Sequence, residues 1–122
     1  DPRVRLNAIG GDFVPEFSSF LGPQATRALR DVHYDVLFMS VPALSRGMCF
    51  HPSSAAAQLK QAFMDSAELR VLLIDHSKVA RRAIHRICDL TDFYVVVVDA
   101  GIDSDEHRRL EDCGANILVA EA

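Results

Sequence analysis

The sequence predicts an α/β fold, a mainly parallel sheet with helices on both faces, and three observations carry that prediction. Short apolar runs, too brief for helices, recur at Val36–Met39, Val71–Ile74 and Tyr94–Val98. Segments with helical spacing lie between them. The apolar runs give way abruptly to polar residues, Asp75 after Ile74 and Asp99 after Val98. Strands covered on both faces read as unbroken apolar runs, and parallel neighbours need crossover connections, which are right-handed for L-residues. Five strands and about four helices are expected.

The chain of 122 residues is long enough for one domain with a real core. Its 49% apolar and 25% charged residues are ordinary for a globular protein. A net charge of −4 without a basic run argues against direct binding of nucleic acid by this chain. No apolar run approaches membrane-spanning length, and no signal-peptide pattern opens the sequence. Cys49, Cys88 and Cys113 are an odd number and widely spaced, which points to a reducing, cytoplasmic setting. The first residue is Asp1 rather than Met, as expected of a fragment or a processed product.

In chain order, Val4 to Ile9 alternates apolar and polar residues and is expected to be a strand ending in the Gly10-Gly11 turn. Asp12 to Leu21 reads as a loop whose Phe13, Phe17 and Phe20 cover either the core or a partner. Gly22-Pro23 starts a helix to about Asp31. Tyr34 to Ser40 is the second strand, and Val41 to Pro52 a loop punctuated by Pro42, Gly47 and Pro52. Ser53 or Ser54 caps a helix to about Ala67, with Ala55, Leu59, Ala62, Phe63 and Ser66 inward and Lys60 outward. Val71 to Ile74 is the central strand. Val79 to Leu90 suits a helical face, with a short extended piece near Ile87 as the alternative. Tyr94 to Val98 is the next strand, Asp103 with Glu106 opens a helix closed by Gly114, and Ala115 to Ala120 is the last strand.

The stretch Asp75-His76-Ser77-Lys78 is the best functional candidate. Polar residues just past the carboxyl end of a parallel strand lie where ligands bind. Ser77 would cap a following helix whose N–H groups favour an anion, and Lys78 adds a charge. With Gly10, Gly11, Ser40 and Gly47, these residues suit a cleft for an anion or a sugar phosphate, without an evident catalyst. Cys49 and His51 do not complete a metal pattern with the other histidines. Asp12 and Glu16 are the one carboxylate pair placed for acid–base work, and a solvated surface is the simpler reading of them.

Asp-Val-Leu-Phe-Met-Ser (35–40), Arg-Gly-Met (46–48), Ala-Gln-Leu-Lys-Gln-Ala-Phe (57–63) and Val-Leu-Leu-Ile-Asp-His-Ser-Lys (71–78) together resemble the DeoR-family sensor domain. Gly10-Gly11 and Phe-Leu-Gly-Pro (20–23) match the same pattern. The sequence departs from it at Val79-Ala80, Met48-Cys49 and Ser40. The resemblance implies a fold similar to ribose-5-phosphate isomerase, glucosamine-6-phosphate deaminase and CoA transferases. It also implies a regulatory domain of a bacterial repressor of sugar metabolism, neither an enzyme nor a holder of a cofactor or metal. Residues 1–122 would then be a single effector-sensing domain truncated at its N-terminal side. DNA would be bound only through an absent helix-turn-helix module, and the protein would form a homo-oligomer. A phosphorylated sugar would relieve DNA binding. Gly10 and Gly11 would offer close backbone approach, Gly47 room, Asp75 an acceptor for a sugar hydroxyl and Lys78 an anion contact. The alternative on the same fold is a sugar-phosphate isomerase or deaminase with Asp12 or Glu16 as base.

Overall fold

A computed structural model describes residues 1–121. Among the described residues nine strands and three α-helices form, in the order β1 (Asp12–Val14), β2 (Ser19–Leu21), α1 (Pro23–Ala28), β3 (Tyr34–Met39), β4 (Ala43–Ser45), β5 (Met48–His51), α2 (Ser54–Asp65), β6 (Ala67–Ile74), β7 (His85–Asp89), β8 (Val95–Asp99), α3 (Ser104–Asp112) and β9 (Ile117–Ala120). Strands β3, β6, β8 and β9 make a parallel sheet in that spatial order. A second sheet, β4-β5-β7, is antiparallel, and β1 and β2 form a separate hairpin.

The helices do not cover both faces of the parallel sheet, as the apolar runs suggested. Met39, Leu72, Val96 and Ile117 are register partners and so point to one side, joined there by Ile74 and Val98. That side packs in one core with Ala57 and Met64 of α2, Leu110 of α3, and Leu44, Cys49, Ile87 and Cys88 of the antiparallel sheet. Because successive strands step across the sheet in one direction, right-handed connections all fall on that side. The other face keeps Val36, Phe38, Leu73 and Leu118 exposed, Phe38 at 66%. A continuous apolar run is therefore half core and half bare surface here.

The strands expected at 34–40, 71–74, 94–98 and 115–120 form, β6 being eight residues long. The helix after 53 also forms, with Ser53 Oγ accepting from the Ala56 N–H at 3.2 Å. Helix α1 is shorter than expected and stops at Ala28. Asp103 caps α3 as expected, accepting from the N–H groups of Asp105 and Glu106.

Four expectations for single elements fail, the first being the loop expected at 12–21, which holds the β1–β2 hairpin. Val4 to Ile9 pairs with no strand among the described residues, and Val4 and Leu6 lie exposed; alternation alone does not make a strand without a ladder partner. The expected loop 41–52 holds the β4–β5 hairpin, whose two-residue turn has Arg46 and Gly47 at φ 52° and 74°. Positive φ at both central residues is the twist-matched hairpin turn, and arginine is an uncommon residue there, so the signal was faint. The helix expected from Val79 is absent. After a short 3₁₀ turn at His76–Lys78, Ala80 adopts φ 61°, and β7 pairs antiparallel with β5. The extended alternative near Ile87 is the one that forms.

The loop phenylalanines divide. Phe13 and Phe20 face each other across the β1–β2 hairpin, ring centroids 5.5 Å apart and edge to face, and both are exposed. Phe17 packs inward with Leu21, Ala25, Leu29, Ala56 and Leu59 in a second cluster between α1 and α2.

Candidate functional site

A cavity of about 1010 Å³ lies over the carboxyl ends of the parallel strands. Strand ends supply its floor through Met39-Ser40, Ile74-Asp75, Val98-Asp99 and Ala120. The wall comes from Ala56, Leu59, Lys60 and Phe63 of α2, with Phe17 and Phe20 from the β1–β2 region and His51 from the end of β5. The cavity also reaches the bare sheet face through Phe38, Leu73 and Val97. An apolar concavity with a few polar groups is the usual form of a small-molecule site.

Of the sequence candidates, Ser40, Asp75 and Lys78 line this cavity. Asp75, not Ser77, caps the turn, with Oδ1 accepting from the Ser77 N–H at 2.9 Å. Hydrogen bonding from Ser77 is the main reason the Asp75 carboxyl lies below its usual range. Lys78 Nζ stands 3.9 Å from Asp75 Oδ2 and is half-buried. Ser77 is exposed beside it. Gly10 and Gly11 do not line the cavity, although Ile9 before them does; a Cβ on Gly11 would stand 2.8 Å from the Ala25 Cβ, so that glycine lets α1 approach. Gly47 sits in the β4–β5 turn, where a Cβ would be 3.1 Å from Cys113 Sγ. It is not among the residues lining the cavity. Asp12 and Glu16, the bases named for the enzyme alternative, are exposed and do not line it either.

Three polar groups of the cavity region were not singled out from the sequence. Lys60, expected to point outward, turns its Nζ to the Ser40 carbonyl at 2.8 Å, and burial lowers its pKa. A lysine stem covers apolar surface while its head turns elsewhere, so helical spacing alone misplaces it. Asp99 ends β8 as Asp75 ends β6, and that repeated punctuation was the available signal. Its carboxylate accepts from the His76 main-chain N–H at 2.6 Å and meets His76 Nδ1 at 2.7 Å. These bonds, led by the His76 side chain, hold Asp99 below the usual carboxyl range. Gly101 makes room for the ring, because a Cβ there would stand 2.5 Å from His76 Nδ1. The third is His51, buried beside Phe17.

Cys49 and Cys88 oppose each other across β5 and β7 as buried free thiols. Cys88 hydrogen bonding, followed by burial, pushes the Cys49 thiol far up its scale. Such a thiol is a core group and not a nucleophile. Among the described residues no cluster of three His, Cys, Asp or Glu could hold a metal, and no helix is long and apolar enough to cross a membrane.

Comparison with known proteins gives a consistent result. The family profile described as the DeoR C terminal sensor domain matches residues 1–100. The chain is 32% identical over 118 residues to a protein of Escherichia coli O157:H7 described as an aga operon transcriptional repressor, covering 95% of this chain and 44% of that one. It is 25% identical over 119 residues to the HTH-type transcriptional regulator GlpR of Haloferax volcanii, covering 97% and 46%. The lactose phosphotransferase system repressor of Staphylococcus aureus strain NCTC 8325 / PS 47 is 27% identical over 97 residues, covering 80% and 39%. The chain thus spans less than half the length of these relatives.

Proposed function

The chain belongs to the family of DeoR C-terminal sensor domains, and we propose from that premise that its cavity binds a phosphorylated sugar which relieves DNA binding by a longer repressor. The observation that carries the reading is the cavity itself. It joins an apolar wall to Lys60 and Lys78, with the carboxylates of Asp75 and Asp99 at the strand ends. The ammonium groups suit a phosphate, and the carboxylates accept from sugar hydroxyls. A relative named for the lactose phosphotransferase system supports a role in sugar metabolism. The ligand would act by binding one arrangement of the repressor better than the other. The proposed contacts are Ser40, Asp75, Ser77 and Lys78 at the rim, with Gly10 and Gly11 behind it. Gly47 would serve indirectly, through the hairpin it closes.

Isothermal titration with hexose 6-phosphates and pentose 5-phosphates tests the reading. Saturable binding of at least one, without turnover followed by NMR, is the expected result. Turnover would move the assignment to an isomerase or deaminase, and absence of binding across the panel would remove it.

Association is the second part of the proposal. Val36, Phe38, Leu73 and Leu118 form an apolar face beside the unpaired edge of β3, and both features favour pairing with a second copy. Sedimentation is expected to show dimers or higher oligomers at micromolar concentration. A monomer throughout that range would rule the association out.

A further inference from the structure

His51 ends β5 at the cavity wall and is only 6% exposed. Two neighbours fix its ring. The Ser53 backbone N–H donates to Nδ1 at 2.9 Å, and the Phe17 ring meets the imidazole edge-on with centroids 5.1 Å apart. A backbone N–H can only donate, so Nδ1 presents its lone pair and the proton of the neutral ring sits on Nε2. Burial, and then the charge of Lys60, lower the pKa of His51, which keeps the ring neutral at physiological pH. The groups facing it are thus Lys60 from α2 and His85 from β7. Nε2 makes no hydrogen bond among the described residues, and it is not sealed off from solvent. A donor whose ring is fixed on both sides and which opens only to the cavity is satisfied there by water, and a ligand oxygen can take that water's place.

We propose that His51 Nε2–H donates a hydrogen bond to a neutral oxygen of the sugar, a hydroxyl or a carbonyl, while the ammonium groups hold the phosphate. This rests on the sugar-phosphate reading and adds a specificity-determining residue to it. The division of labour follows from charge. Lys60 and Lys78 already offer two cations to an anion, and an uncharged imidazole gains most from an uncharged acceptor. A sugar lacking that oxygen would leave the donor unpaired, and such sites discriminate strongly against the analogue.

Two variants separate the proposal from a structural role. His51→Asn keeps an acceptor for the Ser53 N–H, because asparagine readily bonds the main chain two residues on, but it withdraws the donor from the cavity. His51→Phe keeps the ring edge against Phe17 and loses both nitrogens. The variants disturb the frame differently and share only the loss of Nε2–H. Titration with the tightest-binding member of the sugar-phosphate panel should show both weakened about tenfold, the scale of one neutral hydrogen bond. In the wild type, the ¹⁵N resonance of His51 Nε2 should shift as that sugar phosphate is added, a readout that does not depend on either variant folding. A wild type that binds with no shift at Nε2, or a folded variant that binds as tightly, would overturn the His51 assignment alone. A wild type that binds no sugar phosphate would remove the parent reading and this one with it.

Discussion

Lys78→Ala should lower sugar-phosphate affinity by one to two decades while leaving the melting temperature unchanged. A charge-assisted hydrogen bond contributes roughly 1.5–3 kcal/mol, and each ~1.4 kcal/mol is tenfold in affinity. The fold does not depend on this lysine: its contact with Asp75 is long, at 3.9 Å, and partly solvated, which makes it a weak pair. Capping of the turn comes from the Asp75 carboxylate and the Ser77 N–H, neither of which the substitution touches. Asp75→Ala is the poorer test because it removes that cap along with the proposed ligand contact. Isothermal titration of both proteins, with thermal melting as the control, decides the matter. Equal affinities at equal melting temperatures would show that Lys78 does not touch the ligand.

Much of this site could be read from the chain, and the part that could not has a physical reason. A branched apolar run ending in Asp-His-Ser-Lys marks the carboxyl end of a strand, and Asp75 and Lys78 do line the cavity. The element after it is ambiguous in sequence because Val79, Ala83 and Ile87 fit a helical face, while the deciding fact is a ladder with a distant strand, β5. Such pairing is non-local, and no window of sequence contains it. Helical spacing points Lys60 outward for a related reason. Its helical position is peripheral, but a flexible stem lets the ammonium reach the Ser40 carbonyl. His51 carries no local pattern either, since its role depends on Phe17, Ser53 and the cavity together.

The one-sided sheet leads to the second prediction. Leu72→Ala should destabilise the protein by about 2–5 kcal/mol, the range for truncating a buried leucine. Leu72 is fully buried in β6, between Met39 of β3 and Val96 of β8. Typical domains are stable by only about 5–15 kcal/mol, so the loss would be a large fraction of the total. Leu73→Ala, one residue along and 42% exposed, points to the other face and should cost far less in the monomer. Urea denaturation of both variants measures the contrast. Similar losses at dilutions where no oligomer persists would mean that the far face is not bare, and the description of the sheet would need revision.

The bond between His76 and Asp99 has a mechanical consequence. Asp99 grips both the main chain and the ring of a residue 23 positions away, so the turn after β6 and the loop after β8 are tied at two points. That loop runs through Gly101 to Asp103, whose side chain holds the first turn of α3. On the proposed binding mode, a ligand held by Asp75 and Lys78 would load a lever whose far arm is the start of α3. The hydrogen-bonded path from the rim to the outside of the domain runs through two carboxylates and an imidazole, and a displacement could follow it without any strand sliding.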